Sequence, residues 1–211
     1  MIRDGDMFRA VISHIERADT FLISGHINPE GDCVGSVFAV NNLLRSLGKK
    51  TYIVCQDPIP QNLAFLGREW IRMDDFDETL SFDCAFIVDT PKPERLGSAA
   101  SLLDSAERTI VVDHHISNVG FGDISVVDPH ASSCGEMIYT LYSEMRVPLS
   151  RDTATLLYVA ISTDTGSFRY SNTTAQTHHA AADIVSTGID LEMINQKLYS
   201  SIRFARVELM K

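Results

Sequence analysis

Apolar residues recur along this chain in two periods, and the change from one to the other marks out its elements. Short, dense runs rich in β-branched residues read as buried strands at 21–24 (FLIS), 51–55 (TYIVC), 84–89 (CAFIVD), 109–113 (TIVVD) and 124–128 (ISVVD). Between and after them apolar residues fall at helical spacing. Phe8, Val11, Ile12 and Ile15 make one face of a helix over 6–18 whose Arg9, His14 and Glu16 turn to water. Val37, Val40, Leu44 and Leu47 predict a helix from about 36 to 47, stopped by Gly48. Further helices are predicted over 134–145, over 150–162 with Ser150 as cap, and from Thr173 or Thr174 to a stop at Gly188. Residues 191–211 keep a helical pattern to the last residue. The stretch 25–36, with Gly25, Pro29, Gly31 and Gly35, reads as a loop in which the glycines serve turns, and 61–83 is acidic and poorly periodic.

Strands followed by helices imply an α/β fold, a mostly parallel sheet flanked by helices on both faces with right-handed crossovers. The 211 residues, 45% of them hydrophobic, suffice for a full sheet core. No apolar run approaches the roughly 18 residues of a membrane span, and the N-terminus lacks a basic-then-apolar leader, so a cytoplasmic protein is expected. Cys33, Cys55, Cys84 and Cys134 are dispersed and read as small core residues. The formal net charge of −10 argues against a broad surface for long nucleic acid, but not against a short phosphorylated substrate.

Chemistry enters where the buried runs stop. The strand at 109–113 ends in Asp113-His114-His115; FLIS leads through His26 to Glu30 and Asp32; CAFIVD ends on Asp89; and the helix at 150–162 leads to Asp164. Open α/β sheets place ligands at the carboxyl ends of their strands. If these ends converge, His26, Glu30, Asp32, Asp89, His114 and Asp164 meet with no lysine among them, and divalent metal is the plainest way to hold them together. Carboxylates with two imidazoles suit Mn²⁺, with Mg²⁺ or Co²⁺ as alternatives. Six side chains exceed the needs of one catalytic ion, whereas two ions bridged by one carboxylate use them all, and Asp89 is the candidate bridge. Such a pair serves direct attack of water on a phosphoryl group. Ser132 and Ser133 have no base nearby in sequence and read as turn or cap residues. His178 and His179, in an alanine-rich helix, read as ordinary helix residues. Arg95 and Arg169 follow closely after Asp89 and Asp164; each either binds substrate phosphate or pairs with a neighbouring acid.

The segments GHINPEGD, FIVDT, VVDHH and ISTDTGSFRYS, in this order, resemble the four motifs of the DHH phosphoesterase family, in particular the branch of cytoplasmic nano-RNases that also dephosphorylate 3′-phosphoadenosine 5′-phosphate. The resemblance implies that His26, Glu30 and Asp89 hold one manganese and that Asp32, Asp89, His114 and Asp164 hold the other. It implies that His115 touches the scissile phosphate and that Asp113 orients a metal-bound imidazole. The implied substrates are short RNA oligonucleotides, cut to nucleoside 5′-monophosphates, and nucleoside bisphosphate. Two departures stand out. PEGD replaces the usual PDGD, so Glu30 reaches for its metal with one more methylene. The glycine-rich, histidine-containing substrate loop of the family's second domain has no counterpart, so 1–190 is expected to be the catalytic domain and 191–211 a helical connector to a missing C-terminal domain, with poor activity on oligonucleotides by itself. A family II-like pyrophosphatase, a linear dinucleotide hydrolase and a decayed, non-catalytic metal- or nucleotide-binding module share the same signal, and a homodimer is left open.

Overall fold

The computed structural model of the chain describes residues 7–77 and 79–200. Six strands form one all-parallel sheet in the order β3-β2-β1-β4-β5-β6: β1 Thr20–Ser24, β2 Lys50–Cys55, β3 Ile71–Arg72, β4 Phe82–Val88, β5 Ala106–Asp113 and β6 Ile124–Val127. The chain runs outward from β1 to β3, then returns to lay β4 on the other side of β1. The strand order therefore reverses between β1 and β4, and a crevice opens at their carboxyl ends. The register keeps those ends level, with Ser24 beside Ile87, Val88 beside Val112 and Asp113 beside Val127.

Alternate residues of the central strands serve two cores. Phe21, Ile23, Phe86, Val88, Ile110 and Val112 face the α-helices, while Leu22, Ala85, Ile87 and Val111 face the other way. The helical layer contains α1 Arg9–Arg17, α2 Gly31–Ser46, α3 Cys134–Glu144, α4 Arg151–Asp164, α5 Ala175–Ser186 and α6 Leu191–Asn195. The opposite face is covered by 3₁₀ segments between Pro93 and Ser105, broken at Gly97, whose Leu96, Ala99 and Leu102 are buried against the sheet. Ser150 and Thr174 cap α4 and α5 as their side chains predict. No helix among the described residues is long and apolar enough to cross a membrane, and all four cysteines are free and buried.

The structure differs from the sequence reading in four places. Helix α2 begins at Gly31, five residues before the expected start, because the apolar period is masked there by glycines that pack rather than turn. A Cβ on Gly31 would lie 2.4 Å from the Thr163 hydroxyl, and one on Gly35 2.4 Å from the Leu156 carbonyl, so both let α2 lie close against α4. The stretch 61–83 holds the edge strand β3, the first two residues of β4 and the 3₁₀ turns Gln61–Leu66 and Met73–Asp75, elements too short to leave a period. His14 does not face water: its ring is half-buried and Nε2 has no hydrogen-bond partner. The helical pattern at 191–211 is realised as α6 followed by a π-helical turn, Gln196–Ser200, and the remainder, 201–211, lies outside the described residues.

Candidate metal centre

Each strand end contributes in its own way. Beyond β1 the chain turns at Gly25 and presents His26, 8% exposed. Its Nδ1 lies 2.7 Å from the Ile27 carbonyl, which only accepts, so Nδ1 carries a proton; Nε2 faces Asp89 Oδ2 at 3.3 Å and donates to it when the ring is protonated, while in the neutral ring its lone pair is free for a cation. Burial works against the charged ring, but the hydrogen bond and charge of Asp89 outweigh it and raise the His26 pKa. The early start of α2 sets Asp32 in its first turn, 2% exposed. The same carboxylate accepts from the first amides of α3, Cys134 N–H at 2.7 Å and Gly135 N–H at 2.8 Å, and from the Ser36 hydroxyl at 3.0 Å. Asp32 thus sits between two helix N-termini, whose partial positive charge favours the ionised form. Burial and the charges of Asp89 and Asp164 nevertheless win, and its pKa stands well above the usual range.

Asp89, directly after β4, has a left-handed backbone with φ of 54°, a strained conformation for a residue with a Cβ. The strain turns its carboxylate into the crevice, where Oδ1 is buried without a hydrogen-bond partner. Past the end of β5, His114 Nε2 lies 3.7 Å from Asp32 Oδ2, 3.7 Å from Asp89 Oδ1 and 3.5 Å from Asp164 Oδ2. Asp164, the last residue of α4, has its pKa raised by burial foremost and by Asp89, against the opposing pull of His114.

These distances bear on what the residues can hold. They are too long for hydrogen bonds, yet three acids from three separate elements converge on one imidazole nitrogen. Ligand atoms about 2.0–2.2 Å from a common cation stand about 3–3.6 Å apart. The side chains therefore fit a divalent cation, which would also satisfy the orphaned Asp89 oxygen. The potential ligand atoms form one set around His26 and Asp89 and another around Asp32, His114 and Asp164, with Asp89 also in reach of His114 and His115.

The crevice thus gathers His26, Asp32, Asp89, His114, His115 and Asp164. Glu30 stands apart: it is the exposed residue preceding α2 and joins neither set, although its charge is felt at Asp164. Asp113, fully buried, is expected to orient a metal-bound imidazole; its partner is instead His115, whose Nδ1 lies 2.7 Å from Oδ1. It also accepts from the His114 and His115 amides and, through Oδ2, from Asn118 at 2.6 Å. Burial opposes its ionisation, but the bonds from His115 and Asn118 prevail and lower its pKa, while that of His115 is raised, first by the bond to Asp113. Arg95 brings a guanidinium nitrogen within 3.3 Å of His26 Nδ1, and Arg169 donates to the Gly166 carbonyl at 2.6 Å; neither has an acidic partner among the described residues. His178 stacks on Phe168, away from the ligand sets.

Four contributors escape a reading of the sequence. The Cys33 thiol lies with His26 and Asp89, and that of Cys134 with Asp32 and Asp89. Asn172 donates to the carbonyls of Ser132 and Asp164, and the buried Glu136 accepts from the Ser132 and Thr177 hydroxyls. None carries a local signal, because each is defined by partners remote in the chain.

Comparison with known proteins adds an independent observation. Residues 20–161 match the family model described as "DHH family, N-terminal domain". The chain is similar to the bifunctional oligoribonuclease and PAP phosphatase NrnA of Thermus thermophilus, 31% identical over 177 residues that cover 83% of this chain and 52% of that protein. It is similar also to the protein of the same description from Bacillus subtilis, 29% identical over 195 residues, 90% of this chain and 60% of that one. The crystal structure of an exopolyphosphatase-related protein from Bacteroides fragilis superimposes with a TM-score of 0.90 at 25% identity, covering 97% of this chain and 63% of that one. The chain thus spans about half to three-fifths of the length of these relatives.

Proposed function

Because the chain belongs to the DHH family of phosphoesterases, we propose that it is the catalytic part of a two-metal hydrolase that cuts short RNA oligonucleotides to nucleoside 5′-monophosphates and dephosphorylates 3′-phosphoadenosine 5′-phosphate. The observation that carries this reading is the convergence of Asp32, Asp89 and Asp164 on His114 Nε2 beside an unpartnered Asp89 oxygen. The substrates are those in the descriptions of the two NrnA relatives. Residues 1–190 are assigned the catalysis and 191–211 the role of a connector, in keeping with the greater length of those relatives. Buried free thiols fit the reducing cytoplasm as its compartment.

In this reading His26, Asp89 and, by rotation of its exposed side chain, Glu30 hold one cation, while Asp32, Asp89, His114 and Asp164 hold the other. Mn²⁺ suits this donor set best, with Mg²⁺ or Co²⁺ as alternatives. When bound, such a pair lowers the pKa of water and neutralises charge on phosphoryl oxygens. The chain's own groups do the rest. The first amides of α3 and the Ser36 hydroxyl fix the Asp32 carboxylate before any ligand arrives, and Asp113 holds the His115 ring through Nδ1. His115 Nε2 is then left to give a hydrogen bond, and finally a proton, to the oxygen that leaves phosphorus. Arg95 and the exposed Arg169 supply positive charge for further phosphates.

The test is a panel of a five-nucleotide RNA, a linear dinucleotide, 3′-phosphoadenosine 5′-phosphate and inorganic pyrophosphate, each with Mn²⁺. Turnover of the bisphosphate, and slow turnover of the RNA by this domain alone, is expected; turnover of pyrophosphate alone, or of nothing, overturns the assignment. The exposure of Glu30 favours a second reading, in which only the Asp32–Asp89–His114–Asp164 position fills and the domain binds nucleotides without cutting them. Binding of one Mn²⁺ per chain instead of two distinguishes it.

A further inference from the structure

Glu136 belongs to the first turn of α3, is 5% exposed, and is not among the groups that converge in the crevice. Its Oε2 accepts from the Ser132 hydroxyl at 2.5 Å, the Ser132 amide at 3.4 Å and the Thr177 hydroxyl at 2.8 Å. Thr177, 41 residues downstream on α5, is oriented in turn by the Thr174 amide, which donates to its hydroxyl at 3.0 Å, so the Thr177 proton is directed at Glu136. The carboxylate therefore ties α5 to the turn that opens α3.

That turn touches the metal centre on both sides. Immediately after it, the amides of Cys134 and Gly135 clamp the two oxygens of Asp32. Within it, the Ser132 carbonyl accepts from Asn172 Nδ2 at 2.9 Å, and the same nitrogen donates to the Asp164 carbonyl at 3.2 Å. Hydrogen bonds thus link Thr177 through Glu136 to Ser132, from which the backbone leads in two residues to the Cys134 amide on Asp32, and the Ser132 carbonyl is linked through Asn172 to the Asp164 carbonyl. Asp32 and Asp164 are the two carboxylates that face His114 from opposite helices, α2 and α4. Close packing at Gly31 and Gly35 brings α2 against α4, and the α3 turn adds a hydrogen-bonded link between their acid-bearing ends.

We propose that Glu136, held by Thr177, is a positioning residue that sets the spacing of Asp32 and Asp164 and thereby the affinity of the metal position they share. The proposal rests on the metal-centre reading above. It assigns Thr177, remote from every metal ligand in sequence, an effect on metal binding carried by one hydroxyl.

The test uses Thr177→Val, which keeps the shape and removes the hydroxyl, together with Thr177→Ser, Glu136→Ala and Asn172→Ala. The control is Thr174→Ala, which removes the side chain that caps α5 but leaves the Thr177–Glu136 contact. Two quantities are measured: Mn²⁺ dissociation constants by calorimetric titration of folded protein, and hydrogen exchange of the Cys134 and Gly135 amides in chelator-treated protein. Loss of a partner behind a metal ligand weakens affinity by about 10–100-fold. That loss is expected for one Mn²⁺ equivalent in Thr177→Val, Glu136→Ala and Asn172→Ala, with faster exchange of both amides in Thr177→Val and Glu136→Ala. Thr177→Ser is expected to restore both readings, and Thr174→Ala to leave Mn²⁺ affinity unchanged. If Glu136→Ala does not fold, Thr177→Val and Asn172→Ala decide. Unchanged affinity in these two variants, or an equal loss in Thr174→Ala, overturns the proposal while the metal centre stands. Failure of the wild-type chain to bind any Mn²⁺ removes the metal centre itself.

Discussion

His115 Nδ1 and Asp113 Oδ1 lie 2.7 Å apart, and this bond joins the exposed lip of the crevice to a carboxylate with no exposed surface. The pair shifts both partners toward their charged forms, His115 upward and Asp113 downward. A ring so held is biased toward its protonated form, the form that can give a proton from Nε2. Removing the charge behind it by Asp113→Asn is expected to lower the His115 pKa. The alkaline limb of the kcat/KM profile then moves to lower pH, while the variant loses about 1.5–3 kcal/mol of stability with its charge-assisted bonds. Matched pH profiles and denaturant melts check both; an unmoved alkaline limb removes His115 from the proton-transfer step.

The centre also predicts how stability follows pH in protein stripped of divalent metal by chelation. Asp32 and Asp164, with raised pKa values, retain protons in the folded state above the ordinary aspartate value of about 3.9. The native state then binds more protons than the unfolded one, and stability falls as pH rises through their folded values. His26 and His115, also raised, contribute stability that is complete below about 6.5 and lost as pH climbs through their folded pKa. Asp113 acts in the opposite sense: its contribution is present above about 3.9 and lost as pH falls through its lowered value. Metal-free protein is therefore expected to melt highest in mild acid and lower at pH 8, and saturating Mn²⁺ to raise Tm more at pH 8 than at pH 5.5. Calorimetry at the two values, with and without metal, checks the sign.

The two cation positions are expected to respond differently to substitution. Asp89 faces both ligand sets, so Asp89→Ala should abolish binding of both Mn²⁺ equivalents, whereas His114→Ala should lose one. Both should lower kcat by at least about 100-fold. Glu30→Asp, which shortens an exposed carboxylate, should alter only the equivalent that involves His26. Titration calorimetry with steady-state kinetics separates these outcomes.

Close packing of α2 on α4 gives a prediction without metal. Gly35→Ala would set a methyl group 2.4 Å from the Leu156 carbonyl, a backbone atom that cannot rotate away. The strain outweighs the helix-propensity gain of about 1 kcal/mol. A net loss of about 1–3 kcal/mol, or about 2–12 °C in Tm, is expected, with weaker Mn²⁺ binding because Asp32 moves with α2. A thermal melt and a metal titration measure the two effects.

The amino-acid sequence by itself determined the alternation of strands and helices, the parallel sheet, and the chemical identity of the crevice. Those features are local: four or five apolar residues make each central strand, and the acids and imidazoles stand where the apolar runs end. It also carried enough family signal to anticipate the matched domain over 20–161. What it did not determine is anything defined by atoms brought together across the fold. The start of α2 was hidden because Gly31 and Gly35 look like turn residues until α4 is seen against them. The partner of Asp113, the absence of Glu30 from both ligand sets and the links from Thr177 through Glu136 and Ser132 toward Asp32 and Asp164 were decided only by tertiary structure. The physical reason is that hydrogen bonds and cation ligation act over about 2–3.5 Å, a scale set by the approach of elements 40 to 102 residues apart.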